Sequence, residues 1–126
     1  MSKMAGVAKW SELEEVRELG GVLKIFTQKL GTEKMDVIVG KFEPGERLPL
    51  HYHKEPTEEI YYVFKGSITV YIQGREIQAG EGTSFYAPPA VPHYLVNTGD
   101  QTAWIVFVHA PTVPGQDHLV IVDKKK

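Results

Sequence analysis

The sequence predicts an all-β protein, an antiparallel barrel preceded by a short N-terminal helix. After residue 21 the chain is a series of short segments rich in Val, Ile, Thr and aromatic residues, most of them bounded by Gly, Pro, Asn or Asp. No helical segments alternate with these strands, which argues against a parallel α/β sheet. For 126 residues we expect a single domain, with a helix and lead-in over 1–21, a barrel over 22–110 and a tail or edge strand over 111–126.

The N-terminal helix is predicted from a capping box and from apolar periodicity. Ser11 and Glu14 form the capping-box pattern, and apolar residues recur at helical spacing from Leu13 to Leu19 before a pair of glycines ends the run. We expect this helix to pack on one side of the barrel or to form a dimer contact.

The strands are predicted from β-rich segments between turn residues. Turns are expected at 30–32, 44–45, 65–66, 73–74, 80–82 and 97–100, where Gly, Pro, Asn and Asp cluster. The predicted strands begin at Val22, Met35, Leu48, Glu59, Ser67, Thr83, His93 and Thr102, and a last short strand runs from Leu119 to Val122. The last strand is expected to pair at a sheet edge or across a dimer.

Composition excludes several classes of function. The chain has no cysteine, so disulfides, thiolate nucleophiles and cysteine-based zinc sites are excluded. Its net charge is -2 and its charges are interspersed apart from 124–126, so there is no basic face for nucleic acid. It has neither a segment of about 18 apolar residues nor a signal-peptide-like start. We therefore expect a cytoplasmic protein with no membrane or nucleic-acid partner.

Three histidines and a carboxylate form a candidate metal site. His51 and His53 are two residues apart in a predicted strand, so both imidazoles point to the same face of the sheet. A carboxylate follows at Glu58 or Glu59, and a third imidazole, His93, comes much later in the chain. Imidazoles and a carboxylate at one point are the ligands of many non-haem transition-metal sites.

These residues lie in two segments that resemble the two sequence motifs of the cupin superfamily, in its small single-domain (monocupin) form. The first segment is GERLPLHYHKEPTEEIYYVFKG (45–66) and the second is GTSFYAPPAVPHYLVN (82–97). The resemblance covers the central half of the chain and implies that His51, His53, Glu59 and His93 hold the metal.

The sequence departs from the cupin pattern in two places. Ala90 stands where the second motif has a glycine, which predicts that the backbone there does not need a positive φ. The spacing from His53 would fit Glu58, whereas the six residues before Gly66 fit Glu59. Because a hairpin turn fixes register more firmly than a loop, we expect Glu59 to point inward and Glu58 to face solvent.

The resemblance also implies a fold, a cofactor and partners. The fold is a double-stranded β-helix, or jelly-roll barrel, with the metal near its open end. The cofactor is one divalent transition metal per chain, with Fe or Mn favoured and Ni or Zn as alternatives. Three neutral imidazoles and one carboxylate leave a site charge near +1, which favours a small-molecule substrate that is anionic or chelates through oxygen. Family analogy further predicts a homodimer.

Strand parity extends the site beyond the metal ligands. If Glu59 points inward, so do Tyr61 and Val63 on the same strand. If His93 points inward, so do Leu95 and Asn97. Tyr61, Phe85 and Trp104 are weighed between the barrel core and the pocket wall, with the core favoured. For Trp104 the sequence does not say which face of 102–110 is inside. The predicted substrate pocket comprises Tyr61, Val63, Leu95, Phe85 and Trp104. Tyr61 and His109 are the candidate catalytic residues, and His118 receives less weight.

These expectations favour a metal-dependent enzyme acting on a small oxygen-bearing substrate, with dioxygenase, decarboxylase, isomerase or cyclase chemistry. The alternative is a non-catalytic cupin module that binds a small molecule or a metal.

Overall fold

A computed structural model describes residues 5–112 and 118–122 of the chain, and its main elements are ten β-strands. The strands are β1 (Val22–Ile25), β2 (Asp36–Phe42), β3 (His51–His53), β4 (Glu58–Lys65), β5 (Ile68–Ile72), β6 (Arg75–Ala79), β7 (Thr83–Ala87), β8 (His93–Val96), β9 (Ala103–Ala110) and β10 (Leu119–Ile121). They form two five-stranded antiparallel sheets, ordered β1-β2-β9-β4-β7 and β10-β3-β8-β5-β6. The predicted jelly-roll fold class is confirmed.

The core lies between the two sheets and follows from alternation along the strands. On β9 the buried face carries Ala103, Ile105, Phe107 and His109, so this is the inner face that the sequence left open. Phe42 and Tyr61 are also fully buried. No helix among the described residues is long and apolar enough to cross a membrane, and the α-helix at Thr27–Leu30 is a single turn.

The predicted N-terminal helix is wrong. A 3-10 turn at Trp10–Glu12 takes its place, with the Glu12 carboxylate accepting a hydrogen bond from the Lys9 backbone N–H at 3.1 Å. Farther on, Val16 and Leu23 exchange two backbone hydrogen bonds of 2.8 and 2.9 Å. Pairing with the edge of β1 therefore satisfies the backbone that a helix would have satisfied internally, and tertiary contacts override a weak helical preference.

The glycine pair that was expected to end a helix has a different role. Gly20 has φ of +131°, and a Cβ on it would lie 1.7 Å from the backbone oxygen of Arg47. The glycine is thus required by a close approach of two backbones.

The other predicted strands are present, although some are shorter than their apolar segments. β6 (Arg75–Ala79) was not predicted, because its sequence REIQA is polar and most of its side chains are exposed at a sheet edge. It pairs with β5 through a turn in which Gln73 and Gly74 have φ of +52° and +72°. Two left-handed residues are the signature of a type I′ hairpin, so the turn was the available signal for this strand.

The prediction for Ala90 is also wrong, since its φ is +65°. Its backbone N–H donates to the His53 carbonyl at 2.7 Å, which holds the loop against β3 in this conformation. The alanine therefore occupies the left-handed region that the glycine of the cupin motif is suited to.

Candidate metal centre

Strands from both sheets bring four side chains together at one end of the barrel. β3 supplies His51 and His53, and its antiparallel pairing with β8 sets His51 directly opposite His93. Glu59 reaches the same point from β4 in the other sheet. One ligand atom from each residue lies within 4.8 Å of the others, and the four residues are 1–5% exposed.

The two candidate carboxylates of β4 point in opposite directions. Glu59 is 2% exposed and belongs to the cluster, whereas Glu58 is exposed and accepts a hydrogen bond from the Tyr86 hydroxyl at 2.6 Å. Consecutive side chains of a strand alternate faces, so only one of the two can point into the barrel.

Backbone carbonyls fix the tautomers of two histidines. Nδ1 of His51 donates to the carbonyl oxygen of Pro49 at 2.8 Å, and Nδ1 of His93 donates to that of Val91 at 2.9 Å. A carbonyl oxygen only accepts, so each Nδ1 carries the proton and Nε2 of the neutral ring keeps its lone pair. A metal-binding imidazole needs this arrangement.

The atoms facing one another fit a divalent cation. Nε2 of His53 and Nε2 of His93 lie 3.1 and 3.0 Å from the same oxygen of Glu59. An imidazole lone pair and a carboxylate oxygen at such a short distance repel each other unless a proton or a cation lies between them. Two ligands at right angles, each about 2.1 Å from an ion, would be separated by about 3.0 Å. The chemistry and the spacing of this donor set can therefore hold a metal ion.

The electrostatics of the cluster favour the protonation states that metal binding requires. Burial, assisted by the charge of nearby His93, lowers the pKa of His51 to about 4, so the imidazole is neutral at pH 7. Burial alone would raise the pKa of Glu59, but the hydrogen bond from His109 and the positive charge of that ring hold the pKa well below its usual range. A neutral imidazole and an ionised carboxylate are the forms that coordinate metals.

Both residues proposed as catalytic contact this cluster. His109 Nε2 lies 2.5 Å from Glu59 Oε2, and the Tyr61 hydroxyl lies 2.8 Å from His93 Nε2. Burial opposes protonation of His109, yet Asp36 and Glu59 raise its pKa to about 9. Burial and the charge of Glu59 raise the pKa of Tyr61 well above its usual value, so its hydroxyl remains a donor.

A cavity of about 170 Å³ lies beside the cluster and is mostly apolar. Its polar lining is His51, His53, Glu59 and His109. The remaining lining comes from the lead-in, from β1, β2, β9 and β10 and from the loop before β3, as Val16, Leu19, Leu23, Ile25, Ile38, Leu48, Pro49, Phe107, Leu119 and Ile121.

None of the five predicted pocket residues lines this cavity. Tyr61, Val63 and Leu95 point inward as parity predicts, but they lie fully buried in the hydrophobic core. Phe85 stacks on Tyr61 with ring centroids 4.3 Å apart. Trp104 lies on the outer face of β9, 5.2 Å from the ring of Trp10.

Sequence reasoning gave little weight to His118 and none to Asp36. His118 is 2% exposed, and its Nδ1 lies 2.9 Å from Nδ1 of His53. Asp36 is fully buried and its Oδ2 lies 3.5 Å from Nε2 of His118. A signal for His118 was its position just before the last predicted strand, although the sequence does not reveal that this strand pairs with β3.

Comparison with known proteins identifies the family. The profile of the cupin domain matches residues 38–109, more than half of the chain. The chain belongs to the cupin family. This cupin is 30% identical over 105 residues to the polyketide synthase CurC of Streptomyces cyaneus, covering 82% of this chain and 68% of CurC. It is 35% identical over 80 residues to a glucose-6-phosphate isomerase of Thermococcus kodakarensis, covering 59% of this chain but only 42% of the isomerase.

Its fold is similar to that of a solved polyketide cyclase, RemF of Streptomyces resistomycificus. The TM-score is 0.76 at 23% identity, and the similarity covers 95% of this chain and 87% of RemF.

Proposed function

We propose that this cupin is a metal-dependent enzyme acting on a small, largely apolar substrate that chelates the metal through oxygen. Within the predicted range of dioxygenase, decarboxylase, isomerase and cyclase chemistry, cyclisation of a β-diketone-like or polyketide-like substrate is favoured. The observation that carries the proposal is an apolar cavity that ends on the candidate ligands His51, His53 and Glu59.

The cavity lining argues for this substrate class. Ten of its fourteen lining residues are apolar, and none of the fourteen is Lys or Arg. A sugar phosphate or a sugar acid would leave several hydroxyl or anionic groups without partners there, at a cost of about 1–3 kcal/mol each. An apolar cavity of about 150 Å³ accommodates a benzene ring, so this one has room for a single ring or for the end of a longer chain.

The names of two relatives support the same class. CurC is named a polyketide synthase and RemF a polyketide cyclase. The isomerase is also a relative, but the lining described above contains no Lys or Arg for a phosphate, and its protonated His109 is already paired with Glu59.

The residues at and beside the base of the cavity would have two roles, metal binding and proton transfer. His51, His53, Glu59 and His93 would hold one divalent ion, with Fe or Mn favoured over Ni or Zn. The bound metal would supply Lewis acidity toward a carbonyl oxygen of the substrate. His109 lines the cavity and holds a proton at Nε2 against Glu59, so it is placed to exchange a proton with a substrate carbon or oxygen. The apolar walls would exclude water and limit side reactions.

The first test measures transition metals by mass spectrometry in protein purified without an affinity tag or a chelator. Wild type is expected to carry about one ion in this cluster, and His51→Ala to lose it. Glu59→Gln and Glu58→Gln form a matched pair, because the two residues are adjacent on β4 but face opposite ways. Loss of metal is expected in Glu59→Gln alone.

The second test compares turnover of metal-loaded protein on two groups of substrates. β-Diketones, linear poly-β-ketones, catechols and flavonols form one group, and oxalate and sugar acids form the other. Turnover restricted to the first group is the expected result. A metal-loaded protein that turns over neither group but retains an apolar ligand would be a binding module, and wild type without metal after reconstitution would contradict the proposal.

A further inference from the structure

A second group of buried ionisable side chains lies directly behind the candidate ligands. Nitrogen atoms of His53, His109 and His118 lie within 4.8 Å of one another, and Asp36 contacts this group. His109, His118 and Asp36 are 5%, 2% and 0% exposed. The site described above does not account for Asp36 or His118.

We propose that His118 and Asp36 are positioning residues of the metal centre: Asp36 orients His118, and His118 fixes the tautomer and the orientation of the ligand His53. The proposal rests on the metal site put forward under the proposed function. It adds two residues that do not themselves contact the metal or the cavity.

Two of the three histidine ligands are held in the same way, and the third is held differently. His51 and His93 each donate from Nδ1 to a backbone carbonyl two residues earlier in the chain. His53 does not follow this pattern, because its Nδ1 faces Nδ1 of His118 at 2.9 Å. His118 thus occupies the place that a carbonyl oxygen occupies for the other two ligands.

The positions of the ring protons then show which atom donates and which accepts in the contacts from His53 through His118 to Asp36. For Nε2 of His53 to bind a metal, the proton of a neutral ring must lie on Nδ1, so Nδ1 of His118 must accept it. The proton of neutral His118 then lies on Nε2, the atom that faces Oδ2 of Asp36 at 3.5 Å. A carboxylate at that position stabilises this tautomer of His118 and, through it, the metal-binding tautomer of His53.

The backbone holds His118 in place for this role. β10 pairs with β3 so that Leu119 lies opposite His53, and the Lys54 N–H donates to the His118 carbonyl at 2.7 Å. The sheet edge therefore carries His118 to within hydrogen-bonding distance of the ligand.

Asp36 also supports a second ligand. Its Oδ2 accepts a hydrogen bond from the Thr112 hydroxyl at 2.6 Å and lies 3.9 Å from Nδ1 of His109, whose Nε2 contacts Glu59. One buried carboxylate thus supports two of the four candidate ligands. It supports His53 through His118, and it supports Glu59 through His109. Such supporting contacts typically change metal affinity by about 10- to 100-fold when they are removed.

The same atoms allow a different arrangement, a second metal ion bound by His109 Nδ1, His118 Nε2 and Asp36. These nitrogens and Asp36 Oδ1 have no hydrogen-bond partner within the described part of the chain. This arrangement is disfavoured when the first site is filled. His118 then accepts a hydrogen bond at Nδ1, so its ring proton lies on Nε2, where the second ion would bind. An ion there would require His118 to lose its last ring proton.

The experiment compares two substitutions of His118 that differ in one property. An asparagine oxygen falls close to the position of Nδ1, so His118→Asn retains an acceptor for His53, whereas His118→Leu removes it. Zinc affinity is measured by chelator competition, with stoichiometry by mass spectrometry and the visible spectrum of the cobalt-substituted protein as a signature of ligand geometry. Thermal unfolding of the metal-free variants tests folding.

The proposal expects His118→Leu to bind zinc 10- to 100-fold more weakly, with an altered cobalt spectrum, and His118→Asn to remain within about 3-fold of wild type. Asp36→Asn is expected to weaken binding in the same direction as His118→Leu. Unchanged affinity in His118→Leu, or equal losses in both His118 variants, would overturn it. So would wild type with two ions per chain that falls to one in both variants, or wild type with no ion at all.

These outcomes are distinguishable from failure of the proposed function. If the affinity series is as expected but no substrate turns over, the enzyme proposal fails and the positioning roles stand. If turnover is observed while His118→Leu binds zinc normally, only the positioning roles fail.

Discussion

The metal-free protein is expected to be most stable near pH 6.5 and to lose stability on both sides. His51 causes the acid limb. Its pKa is lowered from 6.5 to about 4 on folding, so its contribution is fully present above pH 6.5 and is lost as pH falls toward 4. The difference of about 2.5 pH units corresponds to about 3 kcal/mol, a large fraction of the stability of an ordinary domain.

His109 causes the alkaline limb with the opposite sign. Its pKa is raised from 6.5 to about 9, so its contribution is fully present below pH 6.5 and is lost as pH rises through 9, again by about 3 kcal/mol. Burial also lowers the pKa of His118, which adds to the acid limb. The lowered pKa of Glu59 adds a further loss only at more acidic pH, as the carboxylate becomes protonated.

The assay is urea unfolding between pH 4.5 and 9.5 in the presence of a chelator, followed by tryptophan fluorescence. His51→Gln is expected to flatten the acid limb and to leave the alkaline limb, and His109→Gln to do the reverse. A free energy of unfolding of wild type that varies by less than about 1 kcal/mol between pH 4.5 and 9 would contradict the pKa shifts of His51 and His109.

Three further predictions concern the backbone and assembly. Ala90→Gly is expected to leave the free energy of unfolding unchanged or to raise it by up to about 1 kcal/mol in thermal melts. The reason is that relief of the left-handed φ offsets the added freedom of the unfolded chain. Ala110→Gly, in β9, is the control and should be destabilising. Gly20→Ala is expected to cost about 3 kcal/mol or more, because the added Cβ meets the Arg47 carbonyl, and a melt like that of wild type would contradict this. Light scattering is expected to give twice the mass of one chain, and a monomer would contradict the predicted dimer.

The fold was largely predictable because it depends on local patterns. Period-two alternation and turn residues define most strands, and β9 shows the alternation over its full length. The failures occur where a distant contact decides the outcome. Val16 pairs with Leu23 instead of forming a helix, and Ala90 is held in the left-handed region by its hydrogen bond to the His53 carbonyl.

The candidate site also has a part that local sequence patterns predict and a part that distant contacts decide. Parity along a single strand is local, and it places His51 and His53 on one face and turns Glu59 inward. The meeting of Glu59 with the two histidines is not local, because β3 and β4 belong to different sheets. The cavity wall depends on which strands become neighbours, so apolar residues as distant as Val16 and Leu119 meet there. No pattern in the sequence specifies that β10 pairs with β3, and the position of His118 depends on that pairing.

The unequal pairing of the strands predicts where the metal-free protein opens first. β3 pairs with β8 only at His51 and His93, and its other neighbour, β10, is three residues long. By contrast, β9 pairs along nearly its whole length with both β2 and β4. Short, weakly paired elements are the ones that open at low free energy.

Hydrogen exchange of the metal-free protein is therefore expected to be faster at the amides of β3 and β10 than at those of β9. A metal ion bound by His51, His53, Glu59 and His93 would tie β3 to both sheets, so opening of β3 and β10 should require release of the ion, and loading should slow exchange there. Binding at 100 times the dissociation constant adds about 2.7 kcal/mol to the native state, which is about a 100-fold slowing where exchange requires release of the ion. Amides of β3 and β10 that exchange equally fast with and without the metal would mean that these strands open without releasing the ion, and this end of the protein would then not depend on its metal.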